Sequence, residues 1–189
     1  MGLMIHSLGE LPTDAKREYY VYLLDYGWDE PLGDALRNNF SKMAAKASAA
    51  DAVVIRGVVG SHFEDEVLSW HHINGQPGDG ILPAILITTR HPHQFHHYGK
   101  DWQKEGKLHA DRLLLIPLRE VCKTTTEVAD LIEKIFSDIK KKQALADFAV
   151  AREMKKGKGG AIVDALILKP NIQGVGIDLE FIKQFFKGK

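Results

Sequence analysis

Four short apolar runs punctuate the first two thirds of the chain: YYVYLLD at Tyr19–Asp25, DAVVIRG at Asp51–Gly57, PAILITT at Pro83–Thr89 and RLLLIPL at Arg112–Leu118. Each has strand length, is rich in β-branched, leucine or aromatic residues, and lacks the alternation of a half-exposed strand. Near-continuous apolar character of this kind suits strands covered on both faces. A fifth run, AIVDALIL at Ala161–Leu168, reads the same way apart from Asp164. A carboxylate there needs a partner, a less buried face or an edge position.

Between the runs the period changes. Leu32, Leu36, Phe40, Met43 and Ala47 recur at three and four residues, which gives a helix one apolar face. Pro31 suits its first turn, with Asp29 and Glu30 close to the positive helix end. HFEDEVLSWHHI, His62–Ile73, predicts two to three helical turns. The clearest helix follows the fourth run, where Thr124 and Glu127 form a capping box and Val128, Leu131, Ile132, Ile135, Phe136 and Ile139 share a face. LADFAVAREMKK predicts a further helix, a short one is expected around Asp101–Glu105, and DLEFIKQFF predicts a terminal helix capped by Asp178. Residues 1–18 read as a lead-in strand or loop.

Strand, amphipathic helix, strand is the pattern of a βαβ unit. The expectation is an α/β fold: a mostly parallel open sheet of about five strands with helices on both faces. The length of 189 residues suits one core, so residues 1–189 read as a single domain, with 143–189 as a C-terminal extension packed on it. The apolar positions Leu179, Ile182, Phe185 and Phe186 fit packing onto the sheet, or self-association into a homo-oligomer.

Composition narrows the function classes. Twenty-five basic residues balance 25 acidic ones, so nothing global favours extended nucleic acid or an acidic membrane, and recognition of an anion must be local. A single cysteine, Cys122, excludes an intrachain disulfide and a CxxC pair, which suits a reducing, cytoplasmic setting. No apolar run approaches the length of a spanning helix, and the first residues lack a signal-peptide pattern.

In parallel sheets ligands bind beyond the carboxyl ends of the strands. Asp25 ends the first run there, Arg56 the second, Arg90 and His91 the third, and Arg119 the fourth. Arginine offers a rigid fork of donors for phosphate or carboxylate, so this rim predicts a small anionic ligand. The same arginines equally fit a strand boundary, stem on apolar surface and head in water, with Asp25, Asp29 and Glu30 as ion-pair partners.

HPHQFHH, His91–His97, holds four of the nine histidines. With His62 from the preceding connection, His91, His93 and His97 are candidate ligands for zinc or manganese, and Glu64, Asp65, Glu66, His71 and His72 could complete a set. His93, Phe95, His96 and Tyr98 could instead form a stacking surface. HExxH and finger spacings are absent, GKGG at Gly157–Gly160 precedes a strand instead of following one, and no serine lies in a GxSxG elbow. Two readings follow. The first is a non-catalytic binding or regulatory domain that recognises an anionic ligand or a protein partner, with Trp28, Phe95, Tyr98 and Trp102 as anchors. The alternative is a metal-dependent hydrolase acting on a phosphoester.

Overall fold

A computed structural model describes residues 1–14, 16–28, 30–71, 73, 74, 80–97, 113–158, 167, 168, 177 and 178. The sheet is built from β1 (Gly2–Ile5), β2 (Tyr19–Leu24), β3 (Ala52–Gly57), β5 (Ala84–Thr88), β6 (Leu113–Pro117) and the two-residue β7 (Ile167–Leu168), in the order β1-β3-β2-β5-β6-β7. A separate short pair joins β4 (Ile73–Asn74) to β8 (Ile177–Asp178).

The apolar runs are continuous because each strand feeds two cores. Along β2, Tyr19, Val21 and Leu23 face one cluster while Tyr20, Tyr22 and Leu24 face another. The neighbours divide identically: Val54, Ile85, Ile87, Leu114 and Ile116 on the first side, Val53, Ile55, Leu86, Leu113 and Leu115 on the second. Helices α1 (Pro31–Asn38), α2 (Phe40–Ser48), α6 (Thr125–Lys140) and α7 (Ala149–Lys158) cover the first face. Helices α3 (Phe63–Trp70) and α4 (Pro92–His97) cover the second, with a 3-10 turn at Leu8–Glu10. A short α5 (Leu118–Val121) links β6 to α6. The three-layer α/β class is therefore the one expected.

Strand direction differs from the expectation of a mostly parallel sheet. β1, β3 and β2 run parallel, but β5 is antiparallel to β2, and β6 and β7 continue the alternation. The physical reason is that a continuous apolar run reports burial on both faces and carries no information on direction.

Two local expectations change and one is settled. The helix over 32–46 is two helices, broken at Asn39, whose side-chain amide donates to the Ala35 carbonyl at 2.8 Å and competes with the helical ladder. HPHQFHH, which the sequence leaves open between a helical and an extended form, is largely helix α4. Asp178 does not cap a helix but lies in β8, opposite Asn74. Residues 98–112, Asp164 and the terminal stretch from Leu179 lie outside the described residues.

At the other end of the chain's ordered pattern, Leu145, Phe148, Val150, Ala151 and Met154 join the first core cluster. α6 begins with the capping box the sequence announces, Thr124 Oγ1 accepting from the Glu127 amide at 3.2 Å. α7 begins on a buried carboxylate, Asp138, which accepts the Ala149 amide at 2.6 Å. Asp138→Ala leaves that donor without its acceptor, so unfolding in urea should show a loss of about 1–3 kcal/mol. Tyr22 presents the opposite case: its hydroxyl is wholly buried and has no hydrogen-bond partner among the described residues. Tyr22→Phe removes a desolvated group and keeps the ring, so the same measurement should show equal or greater stability, by up to about 1–3 kcal/mol.

Candidate functional site

The carboxyl ends of β2 and β3 lie side by side, and the chain leaves them in opposite directions. From β2 it turns through residues 25–30 to α1 on the first face; from β3 it turns through residues 58–62 to α3 on the second. Adjacent parallel strands whose connections diverge in this way open a crevice between the loops, the switch point at which α/β sheets place ligands. A small cleft of about 70 Å³ occupies that position. Both loops carry a glycine in the left-handed region, Gly27 at φ 78° and Gly60 at φ 84°, a conformation that side-chain-bearing residues rarely adopt.

Three charged groups from different elements meet there. Asp25, with an almost buried side chain, accepts the Gly27 amide at 3.1 Å and a hydrogen bond from Arg37 of α1. Arg37 also binds Asp34 one turn earlier, so its charge is shared by two carboxylates. Glu64, buried in the first turn of α3, accepts from its own amide and that of Asp25. Burial raises its pKa above the ordinary carboxylate range, and the charges of Asp25 and Asp65 act in the same direction. Tyr26 ties the turn after β2 to the first turn of α3, its hydroxyl donating to Asp65 at 2.7 Å.

Arg56 is the exception among these cations. It lies half-buried at the cleft with its guanidinium 5.0 Å from the centre of the Phe40 ring. Its Nε is buried without a hydrogen-bond partner, and the group makes no ion pair among the described residues.

The other members of the expected rim divide by strand direction. Arg119 follows β6, whose Pro117 pairs with Ala84, which in turn pairs with Leu24; it therefore stands on the Asp25 edge, bound to Glu30. Arg90 and His91 follow Thr88, which pairs with Tyr20 at the start of β2. The antiparallel course of β5 thus puts them at the opposite edge. Asp25 and Arg56 are brought together, Arg119 stands nearby in an ion pair, and Arg90 and His91 are not part of this site.

Sequence reasoning passed over Arg37 and named Glu64 only as a residue that could complete a metal set. The spacing of Asp34 and Arg37, one turn apart on a helix, marks a local pair. Nothing in the local pattern says that Asp25 joins it, because that contact depends on how α1 packs.

Among the described histidines, His71, His91 and His93 pack beside the aromatic residues of the second face. His91 is buried, its Nε2 donating to the Pro12 carbonyl at 3.1 Å and its Nδ1 accepting the His93 amide at 3.3 Å, a pairing that requires the neutral ring. Its ring meets the edge of Tyr20 at 5.4 Å and stacks on His93 at 5.1 Å, and His93 meets Trp70 at 5.3 Å. His71 donates from Nδ1 to the Val67 carbonyl at 2.7 Å and packs on Phe95 at 4.6 Å. His62 is 94% exposed at the first turn of α3, the end away from Trp70. The expected metal set of His91, His93, His97 and His62 is therefore not assembled by the described residues; the side chain of His97 lies outside them. Among the described residues no three histidine, cysteine or carboxylate side chains converge as metal ligands. No helix there is long and apolar enough to cross a membrane.

Burial and the neighbouring His93 lower the pKa of His91 below its ordinary value of 6.5. As pH falls through about 6.5 the unfolded chain takes up a proton that the folded ring refuses, so stability is complete above that value and declines below it. Urea midpoints measured between about pH 7.5 and about pH 5.5 should fall more steeply for the native chain than for His91→Gln, which keeps a donor toward Pro12 but cannot titrate. Equal slopes would show that His91 does not contribute.

Comparison with known proteins assigns no relative: no family model matches this chain, and no match is found among curated proteins or solved structures.

Proposed function

We propose that this chain is a non-catalytic binding domain whose cleft beyond β2 and β3 takes a small anionic group, carried by a small molecule or by a protein partner. The observation that carries the reading is Arg56. Arg37 is shared by Asp25 and Asp34, and Arg119 is bound by Glu30. Arg56 instead holds its fork against an aromatic ring with a buried nitrogen unsatisfied. A half-buried guanidinium without an acceptor costs free energy that a carboxylate or phosphate oxygen would recover.

Size supports a head group rather than a whole ligand. Pockets that enclose a drug-sized molecule measure roughly 300–1,000 Å³, and this cleft is about 70 Å³. The remainder of the ligand would lie outside, where Trp28 and Val59 expose apolar surface on the two loops. A metal-dependent hydrolase has no comparable support, because no ligand set accompanies the arginine among the described residues.

Thermal unfolding in the presence of acetate, citrate, phosphate and pyrophosphate tests the reading. A ligand at about a hundredfold excess over Kd adds about 2.7 kcal/mol, or roughly 5–10 °C for a chain of this size. The expected result is a rise with at least one anion that Arg56→Gln abolishes, while Arg90→Gln, at the far edge, retains it. A rise of equal size in both variants would remove Arg56 from the site.

A further inference from the structure

Given an anion site beyond β2 and β3, the reading on which this step depends, we propose that Glu64 joins that site as its neutral acid. Each oxyanion then enters with one proton and is held between the Glu64 hydroxyl and the Arg56 guanidinium. Four charged side chains line the cleft: Asp25, Arg37, Arg56 and Glu64. Arg37 is taken by Asp25 and Asp34. Arg56 and Glu64 make no ion pair, with each other or with another described residue, although both line the same small space.

Glu64 is only 7% exposed, and its carboxyl group meets backbone amides, its own and that of Asp25, rather than a cation. Asp25 on the turn after β2 and Asp65 on α3 add negative charge around it, and with burial they raise its pKa above 4.5. The other elements packed on α3 do not offset this. Tyr26 donates to Asp65 at 2.7 Å, and the 3-10 turn brings Glu10 and holds Glu66 through Ser7 and the Leu8 amide. His62, 3.8 Å from Asp65, is turned to solvent, and His93 meets Trp70 at the other end of the helix.

An oxyanion brought to Arg56 adds a further negative charge to a space of about 70 Å³, the share of about two water molecules. Like charges so confined cannot all stay ionised, and one carboxylate must take a proton. Asp25 has the Arg37 guanidinium and the Gly27 amide as donors, so the proton falls to Glu64. It comes from solvent and leaves the ligand unchanged. The acid then donates to the anion, a short, charge-assisted O–H···O bond in place of a repulsion. Affinity is therefore greatest below the pKa of Glu64 in the empty cleft. It falls by up to about tenfold per pH unit as pH rises from there toward the higher pKa of the occupied one.

Sodium sulfate is the probe, since it does not itself titrate between about pH 5.5 and about pH 8. Amide shifts of the isotope-labelled full chain at constant ionic strength give Kd at each pH, and the Glu64 carboxyl carbon reports its protonation directly. The expected result is binding at least about tenfold weaker at the upper pH, with the Glu64 midpoint moved upward by sulfate. Glu64→Gln keeps the shape and an acceptor for the amides, so it should lose the slope and bind at the upper pH as the native chain does at the lower. His62→Gln, which removes the exposed imidazole, should keep the slope. Sulfate binding that needs Arg56 but ignores pH, or that leaves the Glu64 midpoint unmoved, would overturn the proton step and leave the anion site standing. So would a slope kept in Glu64→Gln or lost in His62→Gln. Tighter binding of glycine than of sulfate at the upper pH would replace the proton with an ammonium group as the partner of Glu64. Sulfate bound at no pH would overturn the site and the proton step together.

Discussion

Two-sided burial of β2 is the constraint on which the rest depends. All six of its residues are buried, three toward each core, and it lies between a parallel neighbour on one side and an antiparallel one on the other. Both helical layers must be in place before this strand is dry. Most of the polar groups on it are disposed of locally: Tyr19 donates to the Gln143 carbonyl at 2.7 Å, and the Tyr20 hydroxyl accepts the Arg17 amide at 3.0 Å. Tyr22 alone is left with apolar and aromatic company.

The same strand positions the cleft. Its carboxyl end is where the chain first leaves for the first face, while its neighbour β3 leaves for the second. The divergence creates a gap, and the charged groups that fill it come from the turn after β2, α1, α3 and β3. Asp25 is drawn in by Arg37 and Glu64 by the amide of Asp25, so two acidic groups are held by internal donors. Arg56, over the Phe40 ring, has no ion pair among the described residues.

Much of the fold was legible because its determinants are local. The four long apolar runs are strands, the capping box at Thr124 starts a helix, and Pro31 opens α1. Direction was not legible, since Ile85 and Ile87 would be buried equally well in either sense. That single unknown moved Arg90 and His91 from the cleft edge to the far edge. The histidine run misled for a related reason: its composition suggested a polar surface or a metal site, whereas His91 satisfies both nitrogens with backbone groups inside an aromatic layer. At the cleft, Asp25 and Arg56 were visible as strand ends, but Arg37 and Glu64 enter through helix packing.

The antiparallel course of β5 and β6 has an architectural consequence. The connection over residues 89–112 begins beside Thr88 and ends at Leu113, so both of its anchor points lie on the edge away from the cleft. Its described part, α4, sets Phe95 into the second core, so this connection is built into the layer that covers the second face of the sheet.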